Sequence, residues 1–281
     1  MRLQSLCLMF SLFLAAAILA EESAEQPPAK PAELTSPAKR ETFLLVPLRV
    51  YRLRAEKLPA ADCRLEDRDI ERILTKVNRV WAVAGITFGL DSIREEQADI
   101  ASFEKLHRLQ SLLEEQASPA KTEESAESEA NAALLAQRNS RFFKALIPQH
   151  TREFNGFRVY YVQEFDVNGI YYGHREAMVK ATARLSPVPG GIDEPLPRVT
   201  SHELGHGLGL PHRQNKINLM ASGTTGTSFI ASEIEIARKI ALETPGVILY
   251  TEIAEQLKRS TEPAETTRLK AWQTAVELQT P

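Results

Sequence analysis

The sequence contains little cysteine and has no excess of charge of one sign. Only Cys7 and Cys63 are cysteines among 281 residues, and the formal net charge at pH 7 is −3. A balance this close to zero gives no indication of the basic surface that nucleic acid or an anionic membrane attracts. We therefore expect no nucleic-acid partner.

The first twenty residues have the pattern of a targeting segment. Residues 6–19 are almost wholly apolar, Arg2 precedes them, and Ala20 ends a stretch of small residues. This arrangement is typical of a cleaved secretory signal peptide. We expect a secreted or periplasmic protein, cut near Ala20, with no membrane insertion after cleavage. A retained N-terminal anchor is the alternative.

Cleavage near Ala20 would remove Cys7 and leave Cys63 as the only cysteine. An intrachain disulfide is then excluded, and the core must hold the fold together without covalent cross-links. We interpret Cys63 as a small buried hydrophobic residue. The alternative is a thiolate that blocks a metal site.

The clearest chemistry lies in residues 202–212, which read HELGHGLGLPH. On a helix, positions four residues apart share one face, so His202 and His206 can bind the same ion. The carboxylate of Glu203, next to the first ligand, can reach a water at the metal without binding the metal itself. The sequence therefore predicts a zinc site with Glu203 as general base.

A third ligand follows the helix. Gly209 lets the backbone leave the helix, and Pro211 cannot continue it, so the chain can turn and bring His212 to the metal. Three protein ligands with a fourth position open to water are typical of a catalytic zinc ion. We expect one catalytic Zn²⁺ held by His202, His206 and His212.

These residues resemble the signature of the metzincin metalloproteases. Met220, in the sequence NLMASG at 218–223, matches the methionine turn that metzincins place beneath the metal. Ordinary core packing is the alternative for Met220. The short spacing from His212 to Met220 and the run GLGLPH resemble matrixins most. The chain lacks a latency motif of the Pro-Arg-Cys-Gly type, the calcium loops of vertebrate matrixins, and the tyrosine that follows the turn in astacins.

The resemblance implies an α/β (α+β) fold: a metzincin-type twisted mixed sheet with a zinc-binding active-site helix, a methionine turn and a C-terminal helix. The hydrophobic periodicity itself predicts a βαβ unit with parallel strands. It consists of a strand at 42–53, with Pro47 at its start or at a bulge, a helix at 70–84 and a strand at 86–90. Further elements are predicted as strands at 157–165 and 173–181, a zinc helix at 196–208, and a helix opened by a capping box from Ser232 to Glu235.

The predicted domain organisation is a signal peptide at 1–20, a flexible linker at 21–41, a metalloprotease catalytic domain at 42–245 and a C-terminal helical tail at 246–281. An insertion at about 94–140 interrupts the catalytic domain. Within it, residues 100–113 predict an amphipathic helix, and the Glu-rich residues 121–131 predict a disordered or frayed segment.

The resemblance implies a secreted zinc endopeptidase whose peptide or protein substrate binds as an extended strand at a sheet edge within 173–181. Residues 224–229 would then form one wall of the pocket. His174 is a nearby titratable residue, either assisting the reaction or facing solvent. Two other functions stay open: a non-enzymatic secreted zinc-binding or interaction module, and a zinc hydrolase acting on a non-protein amide.

Overall fold

A six-stranded, mostly parallel sheet forms the centre of the computed structural model, which describes residues 37–117 and 142–280. The strands are β1 (Leu44–Arg54), β2 (Ile86–Gln97), β3 (Phe157–Val162), β4 (Gly169–Gly173), β5 (Glu176–Lys180) and β6 (Ile248–Leu249). Their order is β2-β1-β3-β5-β4, and β6 pairs with the start of β1. Only β4 and β6 run antiparallel to their neighbours. The mixed α/β architecture expected from the sequence is present.

Six α-helices accompany this sheet in the described residues. They are α1 (Asp67–Trp81), α2 (Ile100–Ala117), α3 (Pro195–Gly207), α4 (Ala231–Leu242), α5 (Ile253–Arg259) and α6 (Pro263–Glu277). None of these helices has both the length and the apolar character needed to cross a membrane. The predicted signal peptide, residues 21–36 of the predicted linker and the 121–131 segment lie outside the described residues.

The predicted βαβ unit is confirmed. Strands β1 and β2 pair in parallel, and α1 lies between them in the chain. The helix buries Ile70, Ile73, Val77 and Trp81, which all belong to the stripe that the periodicity marks. A short 3-10 turn follows, and Gly85 ends it in the left-handed conformation at φ +61°.

Pro47 is expected at the start of the strand or at a bulge, and it lies inside β1, next to a shift in the pairing register. Proline has no N–H to give to a ladder. Strand β3 pairs with β1 only from Leu48 onward, and the register between β1 and β2 shifts between Leu48 and Arg49. Pro47 is therefore tolerated because β3 does not yet pair with β1 at this position.

Strand β2 continues seven residues beyond its predicted end at Leu90. The extension is polar, so it carries no alternation of apolar side chains. Ion pairs with β1 replace that pattern: Arg49 lies 2.6 Å from Asp91, and Arg54 lies 3.0 Å from Glu95. Charge pairing across neighbouring strands stabilises this part of the sheet.

The predicted strand at 173–181 is wrong at its start. Gly173, His174 and Arg175 have φ values of 86°, 52° and 60°, which form a turn and cannot continue a strand. Strand β5 therefore begins at Glu176. The unpredicted strand β4 covers one side of β5, and β3 covers the other. Strand β4 is the edge strand on this side of the sheet, and β5 is internal, so the expected edge within 173–181 is also wrong.

The predicted capping box at Ser232 and Glu235 is wrong by two residues. Helix α4 begins at Ala231, and the carboxylate of Glu233 accepts a hydrogen bond of 3.0 Å from the N–H of Ile230. Glu233 is fully buried, whereas Glu235 is exposed. The side chains of Arg213 and Asn218 also bind Glu233, which fixes the helix start.

The predicted C-terminal helical tail at 246–281 contains strand β6 and helices α5 and α6. Helix α6 spans fifteen residues and packs on β2. The indole of Trp272 lies against Gly89 and donates a hydrogen bond of 2.8 Å to the carbonyl of Leu90.

Candidate metal centre

Three histidine side chains converge at the end of α3. His202 and His206 lie on the helix, and Gly209, at φ +82°, turns the chain so that His212 returns beside them. Nε2 of His206 lies 3.2 Å from Nε2 of His212, and one ring nitrogen of each histidine lies within 4.8 Å of the others. The triad could hold one metal ion.

Backbone carbonyls fix the orientation of two of these rings. Nδ1 of His202 donates a hydrogen bond of 2.8 Å to the carbonyl of Leu219, and Nδ1 of His206 donates one of 2.8 Å to the carbonyl of Leu210. With the proton on Nδ1, each ring keeps its Nε2 lone pair free. Such hydrogen bonds are typical of metal-binding histidines, so the donor set fits a zinc ion.

The electrostatics of the three rings also suit metal binding. Burial lowers the pKa of all three histidines, and for His202 burial together with the charge of Arg198 lowers it to about 3. The rings are therefore neutral at physiological pH. Neutral imidazole is the form that binds metal ions.

Glu203 follows the first histidine and is buried, with 5% of its surface exposed. Burial raises the pKa of its carboxyl group to about 8, and the positive charge of Arg198 opposes this shift. Strand β4 crosses directly over it, because a β-carbon on Gly169 would lie 2.7 Å from Glu203 Oε1 and 2.7 Å from a methyl group of Val199. Only a glycine allows the strand to approach α3 this closely.

An open cavity of about 730 Å³ contains the triad and Glu203. Helix α3 forms one wall, and the chain from Asp166 through the first half of β4 forms another. Tyr171 of β4 lies over the ring of His206, with 6.5 Å between ring centroids and 26° between planes. A substrate placed in this cavity would therefore contact an edge strand, the triad and Glu203 together.

None of residues 224–229, the expected pocket wall, lines this cavity, whereas Ser222 and Gly223 do. The next residues turn away from the cavity to bind the segment before α3. The N–H of Thr225 donates to the carbonyl of Ser186 (3.0 Å), and its hydroxyl accepts from the N–H of Val188 (2.9 Å). Thr225 is consequently buried.

His174 does not line the cavity. It is exposed at the turn between β4 and β5, with φ +52°. The interpretation of His174 as a solvent-facing histidine is therefore favoured over an assisting role.

Met220 is fully buried and lies next to α3. A β-carbon on Gly205, which lies between the two helical histidines, would be 2.6 Å from Met220 Sδ. Leu219, the residue before Met220, supplies the carbonyl that orients His202. The loop that carries Leu219 and Met220 therefore fixes the position of α3, and α3 in turn fixes the position of this loop.

Cys63 takes no part in this site. Its side chain is buried in the hydrophobic core among residues of β1 and α1 and does not line the cavity. Burial raises the pKa of the thiol to about 11, so it is protonated at neutral pH. The interpretation as a buried hydrophobic residue is confirmed, and the thiolate alternative is wrong.

Sequence reasoning missed Arg198, although its spacing carried a signal. Arg198 precedes His202 by four residues and His206 by eight, so all three lie on one face of α3. The arginine is only 2% exposed, and it is one of the residues that line the cavity. Sequence reasoning also missed Tyr171, whose short strand lies between two glycines and shows no clear periodicity.

No protein-family model matches the chain, and no curated protein sequence matches it. Among solved structures, archaemetzincin from Methanopyrus kandleri is 17% identical, with a TM-score of 0.34, over 71% of this chain and 96% of that one. A chaperone–substrate complex is 9% identical, with a TM-score of 0.37, over 73% of this chain and 36% of that one. At such low TM-scores, neither likeness carries weight for fold or activity.

Proposed function

We propose that this chain is a secreted zinc-dependent endopeptidase of the metzincin type, closest in its motif spacing to matrixins. The observation that carries the proposal is the convergence of three neutral histidines and a buried carboxylate in one open cavity. A metal site that served only structure would have no need of an adjacent carboxylate or of an open position. The apolar pattern of residues 6–19 supports export.

The bound zinc ion would supply a Lewis acid that polarises the scissile carbonyl and lowers the pKa of water at the site. His202, His206 and His212 would hold it through Nε2. Glu203 would accept a proton from the attacking water and return that proton to the leaving amine nitrogen. Gly169 lies close to the carboxylate and limits the positions that it can take.

The substrate would bind as an extended strand beside β4. In the described part of the sheet, β4 pairs only with β5, so its other side keeps backbone groups for a new partner. Main-chain hydrogen bonds to such an edge give affinity, and pockets for the side chains give specificity. Gly169, Ile170 and Tyr171 place this edge at the cavity.

The test compares the wild-type protein with Glu203→Gln in peptide hydrolysis. Glutamine keeps nearly the shape of glutamate but cannot accept a proton at neutral pH. The variant should bind zinc and melt as the wild type does, while hydrolysis of a quenched fluorescent peptide library falls about 10²- to 10⁴-fold. A chelator should abolish wild-type turnover.

Three outcomes would count against the proposal. A zinc-loaded wild type that cuts no peptide would favour a non-enzymatic module or a hydrolase of non-protein amides. A fully active, zinc-loaded Glu203→Gln would remove Glu203 from the reaction. A variant that loses zinc would place Glu203 among the ligands.

A further inference from the structure

Arg198 is a buried cation in the wall of the cavity without an ion-pair partner. It is 2% exposed, and within residues 37–117 and 142–280 no carboxylate forms an ion pair with it. Burial lowers its pKa to about 10, against the opposing effect of Glu203, so the guanidinium is still charged at neutral pH. An unpaired buried charge is costly unless something compensates it.

The loop that carries Met220 accepts hydrogen bonds from only some of the N–H groups of this guanidinium. Nε donates to the carbonyl of Gly226 (3.2 Å), and Nη2 donates to the carbonyls of Asn218 (3.4 Å) and Ala221. Nη1 donates no hydrogen bond to any part of the chain that the structure describes. Arg198 is among the residues that line the cavity, and its charge acts on Glu203, so donor capacity and positive charge remain available there.

We infer that Arg198 is a specificity residue, which selects substrates with a carboxylate side chain, aspartate or glutamate, next to the cut bond. This inference rests on the proposed endopeptidase function. A substrate carboxylate would supply the missing counter-charge and accept from the unused N–H groups. Hydrogen bonds between charged partners are shorter and stronger than neutral ones.

Other charged groups also face the cavity. Asp166 lies at its rim and would repel an anionic side chain. However, Asp166 is exposed, so solvent screens its charge, whereas the buried charge of Arg198 acts through a medium of lower dielectric constant. Glu203 opposes an anion only when its carboxyl group is ionised, and burial raises its pKa to about 8. A zinc ion on the histidines would attract an anion. The position beside Arg198 is therefore the one that favours a carboxylate.

The test uses matched peptides that differ only at the residue next to the cut, Asp against Asn and Glu against Gln. Zinc-loaded wild type should prefer the acidic peptide of a pair by about tenfold or more in kcat/KM. Arg198→Met, which removes the charge but keeps an unbranched chain, should cut both members at similar rates. Asp166→Asn, the control on the same cavity, should keep or increase the preference.

Binding measurements separate this inference from the proposed function. In zinc-loaded Glu203→Gln, calorimetry should show tighter binding of the acidic peptide, and adding Arg198→Met should remove that difference. If the wild type cuts nothing but binds in this way, Arg198 still selects a carboxylate ligand, and only the endopeptidase proposal fails. If the wild type cuts amide peptides as well as acidic ones, the inference is overturned and the proposal survives. This wild-type comparison decides the matter even if Arg198→Met does not fold.

Discussion

Gly169 of β4 lies directly against Glu203 of α3, so close that a β-carbon at position 169 would be 2.7 Å from Oε1 of the glutamate. The backbone of an edge strand and the buried carboxylate of Glu203 are thus so close that no side chain fits between them. The same β-carbon would lie 2.7 Å from a methyl group of Val199. The identity of one residue on the sheet edge therefore controls where the carboxylate of the helix can lie.

We expect Gly169→Ala to reduce peptide hydrolysis while zinc binding persists. The added methyl group cannot fit unless Glu203 or β4 moves, and a displacement of about 1 Å at a reacting group can cost about 10²-fold in rate. The measurements are kcat/KM, zinc content and melting temperature on the same preparation. Hydrolysis at the wild-type rate would show that the carboxylate does not need this position.

Zinc should stabilise the folded protein, and each histidine of the triad should be required for this. A ligand that binds only the folded state at 100 times its dissociation constant adds about 2.7 kcal/mol to the free energy of unfolding. The melting temperature should therefore rise when zinc is added to the metal-free wild type. In His202→Ala, His206→Ala and His212→Ala the rise should be strongly reduced, because two ligands bind zinc weakly.

Exposed His174 provides the matched control for this experiment. His174→Ala should keep the zinc-dependent rise in melting temperature, because His174 does not line the cavity. If one of the three triad variants also keeps the full rise, that histidine is not a ligand.

Cys63 should resist thiol reagents while the protein is folded. Its pKa lies at about 11 rather than 9.0, so at pH 8 the folded protein holds roughly 100-fold less thiolate than the unfolded chain. The thiol favours the folded state below about pH 9, and this contribution is lost as the pH rises through 11.

The measurement follows the reaction of a disulfide reagent with Cys7→Ser protein, in which Cys63 is the only cysteine. The reaction should be slow in buffer and fast in urea. A fast reaction in buffer would mean that the segment around Cys63 opens readily.

The convergence of the three histidines could be predicted from residues close to one another in the sequence. The ligand spacing depends on helix geometry, and Gly209 is needed because the chain turns there at φ +82°. The apolar stripe on α1 was predictable for the same reason, since a single helix face determines it. These features depend on neighbours within a few residues along the chain.

The features that sequence reasoning missed depend on distant partners. Strand β4 exists because β5 pairs with it and because Gly169 fits over α3. Glu233, not Glu235, caps α4 because Arg213 and Asn218 reach it from another loop. Such contacts leave no periodic pattern in the sequence.

The C-terminal helix should be part of the folded core, and Trp272 tests this. Its side chain is 4% exposed, packs with Leu45 and Leu269, and binds the carbonyl of Leu90. Trp272→Ala would remove a large buried ring and leave that carbonyl without its donor. We expect the free energy of unfolding to fall by about 3–5 kcal/mol, the usual cost of such a truncation.

Lys270→Ala on the same helix is the control. Lys270 is exposed, and substitutions at such sites usually change the free energy of unfolding by less than about 0.5 kcal/mol. Urea denaturation of both variants gives the comparison. If Trp272→Ala costs no more than Lys270→Ala, α6 contributes nothing to the core, and residues 246–281 behave as a tail outside the catalytic domain. If it costs several kcal/mol, the folded unit extends to α6, because Trp272 packs against β2.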